Sequence, residues 1–311
     1  MRIRGGHLRW FFLLTRLTVL GLFCLFAMWT EYLNLKAGYN NARLVELAHG
    51  PWVRWFYELS DGLFSLFGDP LEVAQRSGGL VWSSTLLGWP STDPVAGLSV
   101  IARGGSLSPT FFLGLILPIG LALCFGRVFC SGICPASLVF YVTSRIRRFV
   151  LRWFWLPNLR LGRGVAWGVL FGGLVLAFFY GHGIWSLILP YLAMGQSLFH
   201  LIAFDNTMAA GIVTATLTAF LVLVVADLLL GDHFVCRNLC PTGRLLGGIG
   251  KLAPVRVRRD ADACIESCVT CTKMCPLGAD PKLDRLVDCS LCGECVSACP
   301  SQCLTVGRRA S

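Results

Sequence analysis

Eight of the chain's fifteen cysteines fall between Cys264 and Cys299, and their spacing is the tightest constraint on what it can fold into. The run Cys289-x2-Cys292-x2-Cys295-x3-Cys299-Pro300 directs three thiolates at one cubane cluster, while the fourth cysteine ligates a neighbouring one. Upstream, Cys264-x3-Cys268-x2-Cys271-x3-Cys275-Pro276 repeats the pattern with one extra residue in its first gap. Thiolates are soft ligands suited to iron–sulfur chemistry. Zinc is the competing reading, but it commonly uses two such pairs rather than two full runs. The expectation is two [4Fe-4S] clusters in crossed assignment. Cys264, Cys268, Cys271 and Cys299 hold one; Cys289, Cys292, Cys295 and Cys275 hold the other. The longer gap makes Cys264 the loosest ligand, and Cys303 reads as an inert spare thiol rather than a substitute.

The rest of the chain is a different material. Of 311 residues, 55% are hydrophobic and 14% charged, and the mean hydropathy is +0.66. A soluble domain carries about a quarter charged residues, so this balance predicts an integral membrane protein. Disorder is excluded on the same count. The formal charge of +10 reads as a positive-inside bias rather than nucleic-acid binding, because the basic residues flank apolar runs. Cysteines beside such residues, after the last apolar run, fit a reducing cytoplasmic setting better than a secreted disulfide scaffold.

Four runs have the ~20 apolar residues needed to cross a bilayer: 10–30, 109–129, 164–186 and 208–230. Arg2, Arg4 and Arg9 precede the first, and no small-residue cleavage site follows it, so an uncleaved anchor is preferred to a signal peptide. Arg16 within it is expected to reach back to the headgroups. Arg145, Arg147, Arg148, Arg152, Arg160 and Arg163, with Trp153 and Trp155, mark the second connection as cytoplasmic. Both termini then lie inside and 31–107 and 187–207 outside. The expected domains are an anchor over 1–30, a periplasmic loop or cap over 31–107 carrying Trp52, Trp55, Trp82 and Trp89, a transmembrane region over 108–250, and a cytoplasmic ferredoxin domain over 251–311. Segment 52–67 has helical apolar spacing, open between an interfacial helix and part of a small cap.

The membrane region also repeats itself. Phe129-Cys130-x3-Cys134-Pro135 matches Val235-Cys236-x3-Cys240-Pro241 at the end of two outward-to-inward runs. On a helix, i and i+4 share a face, so each pair can point together. Cys130, Cys134, Cys236 and Cys240 are therefore candidates for a further metal centre or redox thiols, with simple packing as the alternative. Cys24 and Cys124, inside apolar runs, read as small buried hydrophobes. Asp227 near the inner end of the last run is a functional candidate, since an acid there is costly. His233 could move a proton near neutral pH. His182 and His200 carry no spacing that requires haem, and no Gly-x-Gly-x-x-Gly fingerprint for a nicotinamide or flavin occurs.

These motifs together resemble one family. Gly126-Arg127-Val128-Phe129-Cys130-x3-Cys134-Pro135, Asp227 and His233 ahead of Cys236-x3-Cys240-Pro241, and the double ferredoxin run are similar to the NapH-type membrane component of quinol dehydrogenases, with the membrane half of NosR and the ferredoxin-type MauN as relatives. Thr92-Asp93-Pro94, Pro190 and Met194-Gly195 are weaker echoes. The resemblance implies four transmembrane helices, two cytoplasmic [4Fe-4S] clusters and electrons passing from membrane quinol toward periplasmic acceptors. The expected molecule is an α-helical inner-membrane protein with a C-terminal α+β bicluster ferredoxin domain that exchanges electrons with the quinone pool. Its partners would be a periplasmic ferredoxin or cytochrome, or a soluble cytoplasmic protein drawn to Lys273, Lys282 and Arg285. The other reading is a relay or assembly subunit of a larger complex that never touches quinone. A cysteine redox sensor is a third, and it requires reactive exposed thiols.

Overall fold

The computed structural model describes residues 5–308 except 41, 77, 81–82, 87, 107, 163, 204–206, 266 and 284–287. Arg2, Arg4, Trp82, Arg163 and Arg285 of the sequence reading therefore lie outside the described residues. The chain is mostly helical. Helix α1 (Gly5–Gly38) is followed by three short helices, α2 (Ala42–His49), α3 (Pro51–Ser65) and α4 (Pro70–Gln75). A three-stranded antiparallel meander comes next, β1 (Gly78–Leu80), β2 (Ser83–Leu86) and β3 (Trp89–Thr92). Tyr32 and Leu35 of α1 pack on Val45, Tyr57, Phe64 and Ala74, so the first helices form a small cap at the end of α1.

The bundle is built from α5 (Pro94–Ala102), α6 (Pro109–Phe125), α7 (Ala136–Val150), α8 (Gly164–Tyr180), α9 (Trp185–Ile188), α10 (Pro190–Ala203), α11 (Thr207–Leu230) and α12 (Pro241–Ile249). Proline at the first helical position starts several of them, where its missing N–H costs nothing. Asp93 caps α5 by accepting Val95 N–H at 2.7 Å, and Ser108 caps α6 by accepting Phe111 N–H at 3.3 Å. Among the described residues, α1 and α11 are long and apolar enough to cross a membrane, whereas α6 and α8 have 17 residues each. The sequence reading expects four spans of about 20 apolar residues. The structure instead divides the apolar material into two long helices, two shorter ones, and a pair, 182–188 and 190–201, bent by 102°.

The end of the expected external loop is not external in its packing. Strand β3 lies against α6, and α5 packs on α6, α8 and α12. Val95 belongs to the same core as Phe140, Trp185, Leu189 and Tyr191. The outward faces of the bundle are apolar: Phe112, Ile116, Phe171, Phe178 and Val222 are all more than half exposed.

The tail forms its own small unit. An antiparallel pair, β4 (Val255–Arg259) and β5 (Leu304–Arg308), flanks α13 (Thr270–Met274) and α14 (Glu294–Ser297). Val257, Ala279, Leu291, Val296 and Leu304 pack among the cysteines to make its core.

Candidate functional site

All fifteen cysteines are free. In the tail, Cys264, Cys268, Cys271 and Cys299 line one cavity, together with Cys303, Arg259 and Lys282. Cys299 Sγ lies 3.6 Å from Cys303 Sγ, so Cys303 is a fifth thiol at this cavity and not simply a remote core residue. Cys289, Cys292, Cys295 and Cys275 make a second set. Burial is the main reason that their thiols are raised. Cys289 rises to about 12 and Cys292 to about 11, each pushed further by Cys275, and Cys295 rises under the charges of Cys292, Cys289 and Cys275. Cys268, by contrast, is held below its ordinary value by the hydroxyl and backbone N–H of Thr270.

The other four cysteines meet at the end of the bundle. Each Cys-x3-Cys-Pro segment is a single π-helical turn, Phe129–Ile133 and Val235–Leu239. The second cysteine closes each turn: Cys134 N–H donates to Phe129 C=O at 2.9 Å, and Cys240 N–H to Val235 C=O at 2.9 Å. The following proline excludes the helical conformation from the residue before it, so Cys134 and Cys240 are extended, with ψ 119° and 111°. The i,i+4 face expected on an α-helix is replaced by this wider turn. Cys134, Cys236 and Cys240 pack on the bundle core. Burial raises Cys134 and Cys236, and Cys240 to about 12; Cys134 feels Cys130 and Cys240, and Cys236 feels the other three. The two repeats thus bring four thiols together.

Tail and bundle are joined at this place. Asp288, the residue before Cys289, accepts from Arg127 at 3.2 Å and from Arg244 at 2.7 Å. Arg127 also donates to Cys236 C=O at 3.0 Å, and Ser131 Oγ donates to Ser290 C=O at 2.6 Å. Arg16 donates to Ser131 C=O at 2.6 Å and lies over the Tyr141 ring. It is buried and turned into the protein, not toward headgroups as expected, because the inner turn offers it a carbonyl and a ring face. Asp227 is hydrogen-bonded twice: Thr143 Oγ1 donates at 2.9 Å and Val235 N–H at 3.2 Å. It therefore anchors the π turn that carries Cys236. His233 has φ 50°, and its enclosed Nδ1 has no hydrogen-bond partner. Burial, with Arg16 and Arg148 nearby, pushes it down to about 3. Asp227 and His233 do not contact one another through any hydrogen bond among the described residues.

One buried cluster falls on segments that the sequence marks only as weaker echoes of the family, Thr92-Asp93-Pro94 and Pro190. Tyr191 OH donates to Asp93 at 2.5 Å and pairs with Thr242 Oγ1 at 2.9 Å, two residues past Cys240. Lys273 is exposed, whereas Lys282 faces the thiol cavity.

The donor chemistry fits iron–sulfur groups. Each set is made of thiols and supplies at least the four that a cubane takes. Among the described residues no three His, Cys, Asp or Glu side chains converge as they would on a single metal ion; a cubane is a larger object and spreads its ligands. A thiol-rich tail seated on an apolar helical bundle defines a ferredoxin-type electron-transfer protein.

Comparison with known proteins agrees. A 4Fe-4S binding domain matches residues 107–153 and 212–259, the two Cys-x3-Cys-Pro repeats with Cys130, Cys134, Cys236 and Cys240. YccM of Escherichia coli strain K12 is 30% identical over 272 residues, 80% of this chain and 66% of YccM, so the chain spans just under two thirds of that relative's length. The ferredoxin-type protein NapH of the same organism is 29% identical over 231 residues, 71% of this chain and 76% of NapH. The methylamine utilization ferredoxin-type protein MauN of Methylobacillus flagellatus is 27% identical over 208 residues, 66% of this chain and 68% of MauN. No solved structure matches. The chain is thus similar to the ferredoxin-type proteins NapH and MauN and to the electron transport protein YccM over most of its length.

Proposed function

We propose that this chain is a bacterial inner-membrane electron carrier that exchanges electrons with the quinone pool through three iron–sulfur centres. Cys264, Cys268, Cys271 and Cys299 would hold one [4Fe-4S] cluster, and Cys289, Cys292, Cys295 and Cys275 a second. Cys130, Cys134, Cys236 and Cys240 would hold a third centre at the bundle's inner edge. Residues 1–30 anchor the chain, 31–107 lie mainly outside, 108–250 form the membrane region, and 251–311 form the tail in the cytoplasm. Four membrane crossings are part of this reading, with the exposed apolar faces of α1, α6, α8 and α11 turned to lipid.

The observation that carries it is the seating of the Cys289 loop on the two π turns, with Asp288 between Arg127 and Arg244. A soluble ferredoxin module has no need of buried charges that fix it to a membrane bundle. When bound, the clusters supply one-electron carriers whose potentials depend on burial and hydrogen bonding. The chain's own residues keep the centres adjacent, exclude water and put positive charge beside the thiolates. Quinol oxidation releases two protons as well as two electrons. We assign to Asp227 the handling of a proton at the inner turn when the thiol centres beside it change charge, whereas His233, pushed down to about 3, stays neutral and serves the turn's geometry. Redox partners are a periplasmic ferredoxin or cytochrome, or a soluble acidic protein approaching Lys273.

The test is chemical. Protein purified in detergent should contain more iron and sulfide than the about eight atoms of each that two cubanes hold, and a count of about eight overturns the third centre. Serine replacement of Cys130 and Cys236 together should remove only the excess. In liposomes, decylubiquinol should bleach the cluster absorbance. Zinc in place of iron overturns the cofactor assignment, and clusters that ignore quinol overturn the quinone assignment in favour of a relay between proteins.

A further inference from the structure

Between α1, α3 and α10 lies a cavity of about 290 Å³ that no motif of the sequence marks. It sits at the lower end of the ~300–1,000 Å³ range of small-molecule sites. Its walls are rings: Tyr32 from α1 and Trp52, Trp55, Phe56 and Tyr57 from α3, with Leu198 on the α10 side. Tyr32 and Tyr57 lie 5.2 Å apart, ring centre to ring centre, and Trp52 meets Trp55 edge-on at 6.1 Å. Trp52 is 80% exposed and forms the rim. Glu31 lines the cavity, and Tyr32 OH donates to Asp61 at 2.8 Å, where Lys36 also donates at 2.6 Å.

We propose that this cavity binds the ring of a membrane-dissolved isoprenoid quinol or quinone. Flat aromatic walls suit a flat ring better than a flexible acyl chain, which gains nothing from stacking geometry. Glu31, the charged side chain in the lining, matches a ligand whose ring carries hydroxyls or carbonyls. The open side lies among tryptophans, the residues that favour the level where lipid meets water, so an isoprenoid tail can leave into the bilayer. The position is also suitable. Leu198 is seven residues past Tyr191, roughly 10 Å along α10, and Tyr191 is hydrogen-bonded to Thr242 beside the Cys240 turn. Along α1 the cavity starts at Met28, roughly 18 Å from Arg16 and its contact with Ser131. The site therefore lies across the bundle from the tail, with the Asp93–Tyr191–Thr242 cluster between it and the membrane thiols. This inference rests on the quinone-pool reading and adds the place of binding to it.

The test uses the full iron-loaded protein in lipid nanodiscs with a photoreactive azido-ubiquinone as probe. Label is expected on peptides covering 28–35, 52–57 or 198–201, and excess decylubiquinone should compete it away. Val53→Trp, which fills the cavity, and Trp52→Ala, which removes its rim without touching the core, should each lower labelling roughly tenfold. Bleaching of the clusters by decylubiquinol is followed in the same samples. Competed label in the cavity with unbleached clusters supports the site and removes the redox reading. Label that falls elsewhere while bleaching proceeds overturns the site and leaves the redox reading intact. Label that is not competed, or that both variants leave unchanged, overturns the site outright.

Discussion

At the scale of single residues, Cys264 and Cys303 pose the sharpest question, because both line the cavity that also holds Cys268, Cys271 and Cys299. Five thiols compete for four positions on a cubane. Cys303 is buried in the tail core and stands outside both cysteine runs, whose spacing already supplies four thiols to each cubane. Cys303→Ala is accordingly expected to keep full iron content, whereas Cys264→Ser should lose one cluster's iron; paired iron and sulfide assays decide between them. His233 allows a second prediction. Its value in the folded chain is depressed from 6.5 to about 3. The unfolded chain therefore binds the proton more tightly. The stabilising contribution is present above about pH 6.5 and is lost as pH falls from there toward 3. His233→Asn, which tolerates the positive φ, should flatten the acid decline of the melting temperature between pH 7 and pH 4.5 relative to the unaltered protein.

At the scale of elements, the two π turns decide how the halves of the bundle meet. Gly126, with φ 67°, leaves α6 and touches the end of α12 so closely that a Cβ on Gly250 would stand 2.6 Å from Gly126 Cα. That contact is backbone against backbone, so no rotamer can relieve it. Gly250→Ala should cost about 1–3 kcal/mol by overpacking. Gly248→Ala, where a Cβ meets nothing within 4 Å, should be neutral or slightly stabilising; thermal melts of the two variants provide the comparison. The same region shows what could be read in advance. Cys-x3-Cys-Pro occurring twice, and the grouping of the tail cysteines, were visible because ligand spacing is local. That the four membrane thiols converge was visible only as a repeat, since convergence depends on how two distant turns pack. Asp93 was visible only within the echo Thr92-Asp93-Pro94, with no role attached, because the polar stretch before α6 reads as a loop. Its Asp-Pro cap starts a short helix that enters the core, and hydropathy averaged over 20 residues cannot see a nine-residue insertion. The four apolar runs fall on α1, α6, α8 and α11, and the helical pair bent by 102° at Leu189-Pro190 lies mostly in the segment between the third and fourth runs, which reads as a connection.

At the scale of the whole molecule, the question is what holds a water-facing domain in one orientation against an apolar bundle. Hydrophobic burial alone would give no register. The junction uses a single carboxylate, Asp288, between two guanidinium groups, Arg127 and Arg244, the first almost wholly buried. The hydroxyl of Ser131 on the Ser290 carbonyl and the Arg145–Glu294 pair at 3.6 Å lie beside it. Removing one member of a buried ion pair typically costs about 3–5 kcal/mol, because the partner is left charged and unpaired. Here the charge left behind is double, and it stands between the Cys289 loop and the Cys236 turn. Asp288→Asn should therefore loosen the tail without unfolding it, since the tail's own core is formed by Val257, Leu291, Val296 and Leu304. Hydrogen exchange should quicken at the Cys289–Cys295 loop and at the two π turns together, while amides of β4 and β5 keep their protection. Arg244→Lys keeps the charge but loses the planar fork, and should give a smaller change in the same amides. If the Asp288→Asn variant exchanges like the unaltered protein at both places, the tail is held by its other contacts and the ion pair is not what fixes its register.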